Sequence, residues 1–298
     1  MTDERAPFGR PVIDTDDVEE LSDGVWIIPD RDHTPLVPNV GIVVGERRTL
    51  VIDTGLGTSN ARAVAGLARR LGEDRPVFVT HTHAHPEHGF GANAVHDDVT
   101  ILCNLTQWHE VQEKGPVLLG VFRGLMPMLA DMFEGIAFVR PHVMYTGYLQ
   151  LDLGGDKLVE FHEVGGAHSR GDQVLLVVGE EPVLFTGDLV EEGLFSVLGD
   201  DESHARPWID RLERLQSLGA HHVVPGHGHV GGPERIADTL AYFELARRRV
   251  SELHAAGELS EAKIIDRVTA ELVDLNPTWR NREWARKTVE DFAWPARP

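Results

Sequence analysis

The chain has 298 residues, 42% of them hydrophobic and 26% charged, enough to bury a core in one large domain or two small ones. Its formal net charge of −20 argues against nucleic acid and anionic membranes as partners, because both need clustered Lys and Arg. The single cysteine, Cys103, excludes an intrachain disulfide and suits a reducing, cytoplasmic setting.

Met1-Thr2-Asp3-Glu4-Arg5 has no apolar run behind it and does not read as a secretory signal. Residues 1 to about 20 are polar and read as an arm or an early edge. Strands follow at Val25–Ile28, Gly41–Gly45 and Thr49–Asp53. Ala61, Val64, Leu67, Ala68 and Leu71 share one helical face over Asn60–Leu71, and Val77–Thr80 is a short buried strand. A short helix near Ala92–Val95, a strand at Val99–Cys103 and a helix at Thr106–Glu113 come next. Residues 116–135 are the most apolar stretch, but Arg123 and Asp131 interrupt it and it is too short to span a bilayer. It reads as core or as a face for a second copy of the chain, with an apolar wall or lid over a pocket as the functional alternative. Strand-like runs return at Phe138–Val139, Met144–Leu151, Lys157–Val164, Gln173–Val178 and Pro182–Phe185. A helix at Pro207–Leu218 and a strand at His222–Val224 precede three helices, Glu234–Ala256, Ser260–Leu272 and Arg282–Phe292. Strand and helix alternate in both halves, which predicts two stacked sheets inside helical layers.

The densest chemistry lies in Thr80-His81-Thr82-His83-Ala84-His85-Pro86-Glu87-His88-Gly89, with four His and one Glu inside eight residues. A solvated loop or a hydrogen-bonded imidazole cluster is the plainer reading. Imidazole is a poor core filler, however, and His is the commonest metal ligand. His83 and His85 point the same way in an extended segment. Glu87 and His88, just past Pro86, can reach a second position, and paired hydrolytic metals sit about 3.5–4 Å apart.

His83-x-His85-x-Glu87-His88 resembles the His-x-His-x-Asp-His signature of the metallo-β-lactamase superfamily. Gly166-Ala167-His168-Ser169, Phe185-Thr186-Gly187-Asp188 and Pro225-Gly226-His227-Gly228 resemble its later motifs, in order, and Val51-Ile52-Asp53-Thr54-Gly55 resembles its early strand. The resemblance implies an α/β fold, an αββα sandwich, over residues 20–232, with 233–298 as a C-terminal helical extension packed on it. It also implies two metal ions per chain. His83, His85 and His168 would hold the first, Glu87, His88 and His227 the second, and Asp188 would bridge them. Zinc suits nitrogen and oxygen ligands, with iron or manganese as alternatives. The catalytic carboxylates it implies are Asp188, which would orient a metal-bound hydroxide, and Glu87, the alternative orienter or base. Glu87 departs from the usual Asp; it reads as a tolerated ligand, with a helix-start acid or a general base as the other readings. Asp53 reads as a hydrogen-bond acceptor behind the ligands or as a strand-end turn. Tyr145, Tyr148 and Asn93 are candidate proton donors. His81 falls on the ligand side by alternation and reads as a packing residue or as a support behind the ligands, while His96, His109, His221, His222 and His229 read as packing or solvated residues.

The expected activity is hydrolysis of a small-molecule ester, thioester, lactone or β-lactam. No basic cluster marks a glutathione or nucleic-acid pocket. A mononuclear iron dioxygenase acting on sulfur substrates, using His83, His85, His168 and Asp188, and a non-catalytic metal-binding relative are the alternatives.

Overall fold

The structure is a computed structural model that describes residues 9–294. Residues 1–8 of the polar arm and 295–298 of the C-terminal tail lie outside the described residues.

The first sheet carries seven strands in sequence order: β1 (Glu19–Ser22), β2 (Val25–Ile28), β3 (Val40–Val44), β4 (Thr49–Ile52), β5 (Val77–Thr80), β6 (Thr100–Asn104) and β7 (Val143–Tyr145). The second holds β8 (Tyr148–Gly154), β9 (Lys157–Glu163), β10 (Gln173–Val178), β11 (Val183–Gly187) and β12 (His222–Pro225), ordered β12-β11-β10-β9-β8. Alternation along the strands divides the apolar side chains between layers. In β4, Leu50 and Ile52 join the core between the sheets while Val51 faces out. In β10, Leu175 and Val177 face in while Val174 and Leu176 face out. Helix α1 (Gly57–Leu71) covers the outer face of the first sheet with Ala61, Val64 and Ala68.

The outer face of the second sheet is covered by α4 (Ala205–Gln216) and by three C-terminal helices, α5 (Glu234–Ala256), α6 (Glu261–Leu275) and α7 (Glu283–Ala293). These helices and the sheet share one core, with Trp208 at its centre. Its indole is fully buried, donates from Nε1 to the Leu189 carbonyl at 2.9 Å and packs with its ring 5.0 Å from that of Phe243. Truncation would remove both packing and a satisfied polar contact. Trp208→Ala should therefore lower unfolding free energy by about 3–5 kcal/mol, read from urea denaturation. A loss below about 1 kcal/mol would mean this layer is not part of the cooperative core.

Several elements differ from their sequence readings. The helix expected from Thr106 runs as α3 from Leu105 to Leu125, through Pro116. Asn104 caps it, accepting from Gln107 N at 2.8 Å while Gln107 reaches back. Residues 127–133 then form a 3-10 turn. Phe138–Val139 is not a strand: Phe138 packs edge-on against Phe90, and Asn93 Oδ1 accepts from Val139 N. The run Met144–Leu151 is two strands in different sheets, parted at Gly147, whose φ of 72° suits glycine. Helix α4 begins two residues before Pro207, which still lies in the first turn, where its missing N–H costs no helical bond. The apolar stretch 116–135 is two-faced. Leu119, Leu129, Met132 and Phe133 are buried with Leu56 and Phe90, while Val117, Val121 and Leu125 are exposed. Among the described residues no helix is long and apolar enough to cross a membrane.

Candidate metal centre

The side chains singled out by the sequence motifs converge where strands end. β4 and β5 run parallel in the first sheet, β11 and β12 in the second, and their C-terminal ends open on one edge of the sandwich. Asp53 follows β4, the His loop follows β5, Asp188 follows β11 and His227 follows β12. His168 lies in the turn between β9 and β10. Glu87 and His88 sit on the four-residue helix α2 (Pro86–Gly89), capped by His85 in extended conformation with Pro86 in its first turn.

Two groups of side chains result. One nitrogen or oxygen from each of His83, His85, His168 and Asp188 lies within 4.8 Å of the others, and the same holds for Glu87, His88, Asp188 and His227. Asp188 belongs to both through different oxygens. Its Oδ2 lies 3.8 Å from His83 Nε2 and 3.6 Å from His168 Nε2, while Oδ1 lies 3.3 Å from His88 Nε2 and 3.7 Å from His227 Nε2. Gly226 makes room for it: a Cβ there would collide with Asp188 Oδ1.

The outward nitrogen of most of these rings is anchored. His168 Nδ1 lies 3.0 Å from the Val197 carbonyl, and His227 Nδ1 2.9 Å from that of Val37. His88 Nδ1 meets Asp53 Oδ2 at 2.9 Å, and His83 Nδ1 meets Thr82 Oγ1 at 3.1 Å. Thr82 Oγ1 in turn donates to Asp53, which also accepts from Thr82 N at 2.7 Å. Asp53, with φ of 64°, thus braces both the loop backbone and a ring. Asp200 Oδ1 lies 3.6 Å from His85 Nε2. A neutral ring that donates outward presents a bare lone pair inward. His83 Nε2, His88 Nε2, Glu87 Oε2 and Asp188 Oδ1 are buried without a hydrogen-bond partner. His85 Nδ1 and His168 Nε2 face each other at 2.9 Å, a spacing that demands a proton or a cation between them.

The electrostatics agree. Burial holds His83 well below its usual range and His168 at about 4, so both rings are neutral. Burial also opposes charge on His88, but Asp188 and Asp53 outweigh it and raise the ring well above its usual range. Burial resists the Asp188 anion, yet the surrounding imidazoles keep its carboxyl far below the ordinary value. The donor set of imidazole and carboxylate fits divalent transition metals.

Ser169 and Asp172 explain the His168 motif. Asp172 accepts from the His168 and Ser169 amides at 2.8 and 2.9 Å and from Ser169 Oγ at 2.6 Å, fixing the turn that presents the ring. Burial raises the Asp172 carboxyl to about 7.

A cavity of about 250 Å³ opens onto the cluster, lined by His85, Glu87, His168, Asp188 and His227 together with Asp30, His33, Leu36, Glu191, Leu194, Val197 and Arg280. The stretch 116–135 does not line it; Leu36, which does, also packs against the cluster that buries Leu119, Leu129, Met132 and Phe133. The three sequence candidates for proton donation are elsewhere. Tyr145 donates to Gln173, Tyr148 is exposed on β8, and Asn93 holds Val139. His81 is buried with neither ring nitrogen partnered and is not among the converging groups, while His96 stacks on His142. His109 is exposed, and His221 and His222 flank Glu181 at the surface. His229 shares Glu192 with His33 at the cavity rim. Sequence reading misses Asp200, Glu191, His33 and Arg280, which carry no motif of their own. Glu191, buried beside the cavity, has its carboxyl raised far above the ordinary value by burial and by the Asp188 charge.

A family model described as "Metallo-beta-lactamase superfamily" matches residues 33–227. The acyl-coenzyme A thioesterase MBLAC2 of Gallus gallus is 28% identical over 243 residues, covering 72% of this chain and 82% of that protein. Among solved structures, a metallo-beta-lactamase from Pontibacter korlensis superposes with a TM-score of 0.60 at 22% identity, over 75% of this chain and 96% of its own. The sec-alkylsulfatase Pisa1 from Pseudomonas sp. superposes with a TM-score of 0.68 at 18% identity, over 91% of this chain but 49% of its own length. At those identities the two structures speak for the fold.

Proposed function

Because the chain belongs to the metallo-β-lactamase superfamily, whose family model it matches over residues 33–227, we propose that it hydrolyses small thioesters and related acyl compounds with two divalent cations, zinc foremost. His83, His85 and His168 would hold one cation, Glu87, His88 and His227 the other, with Asp188 shared. The carrying observation is the division of Asp188: one oxygen faces each group of rings, and inward atoms of both groups have no other partner.

Cations held there would supply a Lewis acid for a carbonyl oxygen and hydroxide at neutral pH. The chain's own groups do the rest. Asp53, Thr82, Asp200 and the Val37 and Val197 carbonyls fix ring orientation, so that the donor atoms are set before substrate arrives. Asp188 and Glu87 line the cavity and belong to the two groups of candidate ligands, which supports a role for them in orienting an attacking water. Leu36, Leu194 and Val197 offer an apolar flank to an acyl chain. The longer Glu87 still brings a carboxylate oxygen within the 4.8 Å group, which supports its reading as a ligand in place of the usual Asp. The acyl-coenzyme A thioesterase relative, alike over most of both chains, favours thioesters among the acyl substrates.

The test is metal analysis of purified protein together with a panel of thioesters, carboxylic esters, lactones and β-lactams. About two equivalents of zinc are expected, with thioesters turned over best and activity lost to a chelator and restored by zinc. About one equivalent of iron with oxygen uptake would establish an oxidative enzyme instead. Bound metal with no turnover across the panel would establish a non-catalytic protein.

A further inference from the structure

We propose that Arg280, carried on the link between α6 and α7, is the substrate's anion anchor, so that the preferred acyl substrates bear a carboxylate or phosphate away from the scissile bond. This rests on the hydrolytic reading above and extends it to substrate class. Among the described residues lining the cavity, Arg280 is the one Lys or Arg. Its backbone is stitched to the opposite loop: Arg280 N donates to the Gly193 carbonyl at 3.0 Å and its carbonyl accepts from Phe195 N at 3.1 Å. The link therefore forms part of the cavity wall.

The guanidinium is placed but not neutralised. Nη1 donates to the carbonyls of His33 and Asp32 at 2.7 and 3.3 Å, which holds the head in position. No carboxylate of the described residues pairs with it, and Nε and Nη2 make no hydrogen bond among them. In a chain of net charge −20, an arginine at a catalytic cavity left without an acidic partner is positioned for an anion from outside. The two carbonyls restrict the fork beforehand, so little side-chain freedom is lost when an anion binds. Asn281 follows it on the same wall, in a left-handed conformation with φ of 57°.

The experiment uses metal-loaded protein and butyryl thioesters of three short thiols of different charge: the anionic 3-mercaptopropionate, the neutral 3-mercaptopropionamide, close to it in shape, and the cationic thiocholine. Glutaryl thioesters of the neutral thiol place the anion on the acyl side, which distinguishes the two locations. Wild type is expected to favour an anionic substrate over its neutral counterpart. Arg280→Ala should raise KM for that substrate roughly ten- to hundredfold, and by at least about tenfold more than for the neutral substrate, as for loss of a charge-assisted contact. Arg280→Lys should retain part of the preference, and Arg280→Glu should reverse it towards the cationic thiocholine ester, an outcome that a purely loop-holding role cannot give. Calorimetric titration with glutarate, adipate and butyrate reads the anchor without turnover. The dicarboxylates should lose about tenfold affinity in Arg280→Ala while butyrate does not. Equal charge preference and equal dicarboxylate affinity in wild type and Arg280→Ala would overturn the proposal. Failure to cleave any thioester while dicarboxylates still depend on Arg280 would overturn the hydrolytic reading alone.

Discussion

His168→Ala should abolish hydrolysis while leaving a folded protein that holds about one metal equivalent in place of two. His168 is 1% exposed, is anchored through Nδ1 to Val197, and aims Nε2 at both His85 and Asp188. Its removal leaves His83, His85 and one oxygen of Asp188 as the first group, one donor short of the full set. Water without the metal's influence has a pKa near 15.7 and not about 7, so a loss of at least about a thousandfold in kcat/KM is expected. The fold should persist, because the ring's backbone is held independently by Asp172, and the Trp208 core lies beneath it. A second readout separates a ligand from a mere packing residue. Zinc should raise the melting temperature of wild type by mass action on the native state, and that increment should shrink in His168→Ala while the metal-free melting temperature changes less. Retention of two equivalents and of activity within tenfold would contradict the assignment of His168.

The sandwich is legible in the sequence because alternation in β4 and β10 sends Leu50 and Val51, and likewise Leu175 and Leu176, to opposite faces. The ring residues are legible because they crowd into a short loop after a buried strand, and because the resemblance supplies the three distant motifs. What a local reading lacks is long-range information. Nothing in Met144–Leu151 says that Gly147 carries the chain from one sheet to the other; that depends on β7 finding β6 and β8 finding β9. The expected helix stops at Glu113, short of Gly115-Pro116, yet the Asn104–Gln107 capping box and the buried face around Leu119 carry α3 past it. Asp200 and Arg280 sit in loops of ordinary composition, and their placement is set by partners far away along the chain, His85 for the first and His33, 247 residues distant, for the second.

Asp188→Asn is expected to have a larger effect than loss of any one ring, because it alters both groups at once. The carboxylate is buried among four imidazoles, and its charge is sustained by them against desolvation. Asparagine preserves the shape that Gly226 admits but gives up the charge and replaces one acceptor by an NH2 that donates. That donor can satisfy the inward nitrogen of a neutral ring, such as His83 Nε2, and so fills a role otherwise left to a cation. Metal content should fall below one equivalent, hydrolysis should fall by about ten-thousandfold or more, and metal-free stability should hold or rise. The comparison with Glu87→Gln is what makes this specific. Glu87 faces only the group containing His88 and His227, so that variant should lose one equivalent and keep the other. If Asp188→Asn and Glu87→Gln lose the same single metal, Asp188 serves one group only and the shared-carboxylate arrangement is wrong.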